Sequence, residues 1–279
     1  VLTWKLSGNG GDLLQPVTLE VEPANLNLVS RYLPQGAYTT FRTFNRVYAL
    51  CLNEHFARLE HTAFLAGKQI NISMEKIRQG LREAIRLYDN GDVRVRLTVD
   101  LVKHPGTVFI SIEALSVPSP EDYHNGVKVV TRKLRRQNPK AKLTNFIETA
   151  GKIREELPPG VHEALMTDDA GNILEGLSSN FFAIYQGKIW TAEEGVLSGI
   201  TRSLVLDEAQ KSGIEIIYQE INTEELPQIQ EAFITSATRA VLSVVTIDQI
   251  QIGTGKPGPV TIDLLSRYQA RIKNEIEPI

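Results

Sequence analysis

The chain has 279 residues, 42% hydrophobic and 23% charged, enough for one large or two smaller packed domains. A formal net charge of −3 gives no whole-chain electrostatic case for nucleic acid or an anionic membrane. The single cysteine, Cys51, rules out an intramolecular disulfide framework and fits a reducing cytoplasm, and no run approaches the ~20 apolar residues of a membrane span.

Val1-Leu2-Thr3-Trp4-Lys5 has neither the basic head nor the apolar body of a secretion signal, so a cytoplasmic protein is expected. Tyr38–Phe44 and Arg46–Leu52 read as two strands around a turn near Asn45, with Cys51 as a packed core thiol. Asn53–Leu65 reads as a helix, with His55, Leu59, Thr62 and Ala63 at helical spacing. Met74–Tyr88 is a second helix, with Ile77, Leu81, Ala84, Ile85 and Tyr88 on one face. Val93–Val102 and Thr107–Leu115 are β-branched and alternating, and should form a hairpin or adjacent strands. The proline-bearing stretch from Ser116 to Asp122 is a linker candidate.

Val127–Thr131 opens a second region. Helices are expected at Leu143–Leu157, Thr201–Lys211 and Ile262–Glu275. Strands are expected at Glu163–Thr167, Ser179–Tyr185, Ile214–Tyr218 and Glu231–Thr235. The expected architecture is α+β: a small N-terminal α/β domain (1–115), a linker (116–124) and a larger C-terminal domain (125–279), with a site in the cleft between them.

Glu175 lies in a small-residue turn, Gly176-Leu177-Ser178-Ser179, before the apolar run Phe181-Phe182-Ala183-Ile184-Tyr185. Gly199-Ile200-Thr201 leads into a helix, and a glycine turn opening a helix offers free N–H groups and a positive dipole end to a phosphate. A carboxylate near a phosphate cup suits a cofactor with an anion at one end and a proton-seeking nitrogen at the other, which describes pyridoxal phosphate (PLP).

The lysine for such a cofactor is sought in the basic run Arg132-Lys133-Leu134-Arg135-Arg136, Lys140 and Lys142. A solvated loop and a nucleic-acid patch are the bland readings of this run. Lys142 precedes an amphipathic helix among other cations, where an amine would lose its proton more easily and act as a Schiff-base lysine. His55 and Arg58 fall on one side of a helix, either as a structural pair or with the arginine clamping phosphate. Arg42, Arg94, Arg96 and Arg239 interrupt strand-like or apolar stretches, as ion pairs or as a trap for a substrate carboxylate. The five histidines lack metal-ligand spacing, and there is no Gly-x-Ser-x-Gly elbow, Walker loop or dinucleotide fingerprint.

The motifs run in a fixed order. Tyr38-Thr39-Thr40-Phe41-Arg42 is followed by His55-x-x-Arg58-Leu59, Lys142-x-x-Asn145 and Glu175-Gly176 to Asn180-Phe181-Phe182. Leu197-x-Gly199-Ile200-Thr201-Arg202, Ser236-Ala237-Thr238 and Gly253-x-Gly255-Lys256-Pro257-Gly258-Pro259 complete the series. In this the chain resembles the class IV aminotransferases, the fold-type IV PLP enzymes, from about Gly36 to Glu277. That family includes branched-chain and D-amino acid aminotransferases and aminodeoxychorismate lyases.

The resemblance implies that Lys142 is the Schiff-base lysine and proton shuttle, and that Glu175 keeps the pyridine nitrogen protonated. It implies that Arg58 and the N–H groups of Ile200 and Thr201 hold phosphate, with Thr238 or Ala237 completing the cup and Asn180 beside the cofactor. Tyr38, Thr40, Arg42, Arg96 and Arg239 are the candidates for substrate. The implied activity is a ping-pong transamination between an amino acid and a 2-oxo acid, of branched-chain or D-amino acid type, in a homodimer without metal. A lyase releasing pyruvate is the alternative, on the paired threonines Thr39-Thr40 and the Lys142-x-x-Asn145 spacing. A non-catalytic binder of PLP or amino acid is a third reading, against which the intact Lys142 and Glu175 count.

Overall fold

Alternation along Gly36–Phe44 and Val93–Asp100 turns Ala37, Thr39, Phe41, Val95, Leu97 and Val99 to one side of a sheet. Tyr38, Thr40, Arg42, Arg94 and Arg96 fall on the other. The structure, a computed structural model, describes residues 1–6, 13–88 and 90–279.

The elements up to the middle of the chain are β1 Leu2–Leu6, β2 Leu14–Pro16, α1 Leu26–Val29, β3 Gly36–Phe44, β4 Tyr48–Leu50, α2 Leu52–Leu65, α3 Met74–Tyr88, β5 Val93–Asp100, β6 Val108–Ala114 and α4 Pro120–Asn125. There follow β7 Val127–Lys133, α5 Asn145–Glu155, β8 Val161–Thr167, β9 Asn172–Gly176, β10 Asn180–Tyr185, β11 Lys188–Trp190 and α6 Ile200–Lys211. The chain closes with β12 Ile216–Ile217, β13 Ile221–Asn222, β14 Glu231–Ser236, β15 Ala240–Ile247, β16 Ile250–Gln251, α7 Pro259–Glu275 and β17 Ile276–Pro278.

Two compact units result. The first takes Val1–Ser116, Ala141–Gly151 and Glu275–Ile279, and the second takes Val117–Lys140 and Lys152–Asn274. The chain therefore re-enters its first unit twice, and a single linker at 116–124 does not describe its path. Inside that stretch Pro120–Asn125 is helical, because Ser119 and Asp122 form a capping box with Pro120 at the first turn.

In the first unit the strands run β17-β4-β3-β5-β6-β1-β2. Helices α2 and α3 cover its apolar face, α2 against β3 and α3 against β6 and β1. The core joins Phe41, Leu52, Phe56, Leu59, Ile77, Leu81, Leu97 and Ile110. Each such side chain contributes about 1.5–3 kcal/mol by leaving water.

In the second unit the strands run β12-β11-β10-β14-β15-β7-β8-β9-β13, and one further pair, Asn180 with Glu175, joins β10 to β9. That pair closes a ring of β10, β14, β15, β7, β8 and β9 around Val129, Leu165, Phe181, Ile234, Leu242 and Val244. Glu175 is thus on a strand, β9, and the turn before β10 is Leu177-Ser178-Ser179. The Ile214–Tyr218 strand shrinks to Ile216–Ile217, and β15, unread from sequence, runs through the middle of the sheet.

Candidate active site

Lys142 is tied into the first unit through its backbone. Its carbonyl accepts from Tyr38 N at 2.9 Å and its N–H donates to Thr62 Oγ1 at 3.2 Å. Thr144 continues the splice: its N–H donates to Gly36 O at 2.9 Å and its Oγ1 accepts from Gly36 N at 2.9 Å. Gly36 allows this close approach, since a Cβ there would meet Val99 O at 1.8 Å. The amine of Lys142 lies 4.9 Å from the Tyr38 ring centroid, and the Arg96 guanidinium carbon lies 5.0 Å from the same centroid.

On α2, His55 is buried, hydrogen-bonded with Thr39 Oγ1 at 2.6 Å and packed on Phe41 with centroids 5.1 Å apart. Burial first, then the cations Arg58 and Lys142, hold its pKa well below the ordinary imidazole value, so it is neutral. His55 is a core residue that fixes α2, and Arg58 follows it by three positions at the half-buried surface of the helix.

The other first-unit candidates are engaged within the fold. Arg42 lies 3.8 Å from Asp92 and over the Phe44 ring at 4.6 Å. Arg94 pairs with Glu113 at 2.8 Å. Arg96 is buried and donates to Thr40 Oγ1, Leu26 O, Ser30 Oγ and Asn27 Oδ1 at 2.7–3.2 Å. Tyr38 and Thr40 share one sheet face with these arginines, whereas Thr39 faces the core.

In the second unit Glu175 is buried with both oxygens engaged. Oε2 accepts from Asn180 Nδ2 and from Leu197 N, each at 3.1 Å, and Oε1 lies 2.8 Å from Arg136 Nε. Asn180 also donates to Leu197 O at 2.8 Å, so it orients the carboxylate and ties it to the loop before α6. At the head of α6 the first helical bond is Ser203 N to Gly199 O, which leaves the N–H groups of Ile200 and Thr201 without a helical acceptor. No side chain caps this end, and a Cβ at Gly199 would fall 2.0 Å from Asn180 Oδ1. Ala237 and Thr238 lie in the turn between β14 and β15, and strand pairing of Asn180 with Thr235 sets that turn beside the Glu175–Asn180 end of β10. Arg202 turns away to Ala192 O and Glu193.

Within the second unit, a buried and oriented carboxylate and helix N–H groups beside a position with no room for a side chain suit the ring nitrogen and the phosphate of PLP. Among the described residues no cluster of His, Cys, Asp and Glu could hold a metal ion, and no helix is long and apolar enough to cross a membrane.

Two contributors escape the sequence reading. Arg136 was hidden in a basic run whose other members reach elsewhere: Lys133 to Asp169, Arg135 to Asp168 and Lys140 to Glu193 O. Glu163 is fully buried, accepts from Ser178 Oγ at 2.8 Å and pairs with Arg239 at 3.1 Å. An acid followed by Ala164-Leu165-Met166 in a strand was the one available signal for it.

The chain is similar to known proteins over most of its length. It is 29% identical over 252 residues to D-alanine aminotransferase of Bacillus licheniformis, covering 86% of this chain and 88% of that protein. It is 28% identical over 243 residues to branched-chain-amino-acid aminotransferase of Pseudomonas aeruginosa, covering 81% and 79%. Its fold matches branched-chain aminotransferase of Thermoproteus uzoniensis, solved with norvaline, at a TM-score of 0.75 and 22% identity over 99% of this chain and 98% of that one. Residues 36–247 match the family described as Amino-transferase class IV, a family of PLP enzymes, and the chain belongs to the class IV aminotransferases.

Proposed function

We propose that this aminotransferase uses PLP to move an amino group between an amino acid and a 2-oxo acid, with a branched-chain or D-amino acid donor. The observation that carries this reading is Glu175, a buried carboxylate oriented by Asn180 and Leu197 N beside the open head of α6. The donor classes come from the relatives, which are named as D-alanine and branched-chain aminotransferases.

When bound, PLP supplies an electron sink for the charge left at the substrate Cα as its proton departs. Lys142 would hold the cofactor through its Nζ and would carry the proton from the substrate Cα. Glu175 holds the proton of the ring nitrogen and so keeps the sink effective. Ile200 N–H, Thr201 N–H and Arg58 would hold the phosphate, with Thr238 or the backbone N–H of Ala237 completing the cup. Tyr38 and Thr40 present their sheet face to the substrate. The family resemblance makes a homodimer the expected assembly, which sedimentation velocity would test.

The paired threonines that suggest a pyruvate-releasing lyase do not act as a pair. Thr39 is spent on His55 in the core, and only Thr40 lies on the Tyr38 face.

The test is the absorbance of protein purified with PLP, followed on adding L-leucine, L-glutamate, D-alanine or D-glutamate. Loss of the lysine-linked cofactor band and growth of the pyridoxamine phosphate band with one donor is expected. A cofactor band that no donor shifts, together with pyruvate release from aminodeoxychorismate, would replace the transaminase with the lyase.

A further inference from the structure

Arg42, Arg94, Arg96 and Arg239 all compete for the substrate carboxylate, and their surroundings separate them. Arg42 lies by Asp92, Arg94 gives only Nη1 to Glu113 but keeps its Nε buried, and Arg96 spends Nε, Nη1 and Nη2 on four neutral oxygens while buried. Arg239 differs. Its Nη1 donates to Glu163 Oε2 at 3.1 Å and to Ser178 Oγ at 3.0 Å, while Nε and Nη2 have no hydrogen-bond partner among the described residues. Its side chain is 18% exposed, and neither Nε nor Nη2 is among the buried polar atoms without a partner, whereas the Nε of Arg94 is.

The mount is built for position. Glu163 is fully buried and also accepts from Ala164 N at 3.2 Å, Ser178 Oγ at 2.8 Å and Ser179 Oγ at 3.3 Å. A buried ion pair is a poor source of stability against an apolar replacement of the same shape, so its worth lies in where it holds the arginine. The backbone of Arg239 is pinned as well: its carbonyl accepts from Tyr123 Oη at 2.8 Å and its N–H donates to Ser236 Oγ at 3.3 Å. The next residue, Ala240, sits at φ 53°, a left-handed conformation held only where the surroundings enforce it. Ser178 follows Glu175 by three residues, and Arg239 directly follows Ala237-Thr238, so the arginine stands within the same end of the second unit as the cofactor groups.

We propose that Arg239 binds the carboxylate of the amino acid and 2-oxo acid through its Nε–Nη2 edge, and that Glu163 and Ser178 are its positioning residues. The inference rests on the transaminase reading above. Glu163 offsets much of the positive charge of Arg239, so recognition depends on two parallel N–H donors meeting two carboxylate oxygens. A lysine would keep the pair with Glu163 and lose that fork.

The experiment compares wild-type holoenzyme, Arg239→Lys, and the double variant Glu163→Gln with Arg239→Gln, which leaves no buried charge orphaned. For L-leucine, L-glutamate, D-alanine and D-glutamate, kcat and KM are measured, together with inhibition by 4-methylpentanoate and PLP affinity by absorbance titration. In both variants KM for the accepted donor should rise roughly tenfold to a hundredfold, with inhibition by the plain carboxylate weakening by a similar factor. An unmoved KM in an active double variant overturns the assignment. A fall in PLP affinity that matches the rise in KM also overturns it and moves Arg239 into the phosphate cup. Wild-type holoenzyme that turns over no donor removes the transaminase reading itself, a result distinct from either.

Discussion

Arg136 Nε stands 2.8 Å from Glu175 Oε1, with 5% and 2% of the two side chains exposed. The carboxylate proposed to face the cofactor ring therefore has a cation buried beside it. Removing one member of such a pair leaves a charge buried without its counter-ion. Arg136→Leu should lower stability in urea unfolding by about 3–5 kcal/mol, and the double variant Arg136→Leu with Glu175→Leu should recover most of that loss. A single variant that loses less than about 1 kcal/mol would show that water reaches the pair.

Lys142→Ala should fold, because its backbone bonds to Tyr38 N and Thr62 Oγ1 do not need the side chain. Turnover should fall by about 10²–10⁴-fold or more with loss of the proton carrier, and added PLP should show no lysine-linked band. A retained band would move the assignment to another lysine, with Lys140 the nearest rival although its amine is bonded to Glu193 O at 2.6 Å.

Gly199→Ala tests the head of α6. The new methyl would sit 2.0 Å from Asn180 Oδ1 and 3.2 Å from its Cγ, and Asn180 is held by Glu175 and Leu197 O. Relief of that overlap should cost about 1–3 kcal/mol and disturb the Glu175 carboxylate. The expected outcome is weaker PLP binding by absorbance titration, with far-ultraviolet circular dichroism unchanged. Wild-type affinity would place the cofactor away from this turn.

His55 supplies a pH dependence. Folding holds its pKa well below the value near 6.5 that the unfolded chain has, so between those two values the unfolded state binds the extra proton. Stability then rises with pH, and the penalty is absent above about 6.5 and grows as pH falls below it. His55→Gln should flatten the acid side of the stability profile by up to about 1.4 kcal/mol per pH unit, read as the difference between urea midpoints of the two proteins across pH 5–7.5. Parallel profiles would mean that His55 titrates normally in the fold.

Local patterns carried much of this protein. The α3 boundaries follow from Ile77, Leu81, Ala84 and Ile85 recurring at helical spacing, and all four are buried. The motif order brought Lys142, Glu175 and the Gly199 turn into view without coordinates. Strand β9 stayed hidden because its last two residues, Glu175 and Gly176, read as part of the small-residue turn before β10. Partners stayed hidden for a different reason. Glu163 meets Arg239 across 76 residues, and no periodicity within either segment names the other. The sequence showed four arginines that a carboxylate could seek, and only their hydrogen bonds and the burial of each Nε tell a closed fork from an open edge.

The last strand, β17, pairs with β4, and Glu277 Oε1 accepts the N–H of Leu52 at the head of α2. Arg78 reaches Glu277 and Pro278 O, and Arg82 reaches Ile279 O. The unit that leaves the ribosome first is consequently the one that must wait. Until residue 279 is made, the nascent chain carries an open strand edge at β4 and an unfinished start to α2, the helix that bears Arg58. The second unit, whose residues end at Asn274, has no such delay, so its order of completion runs against its order of synthesis.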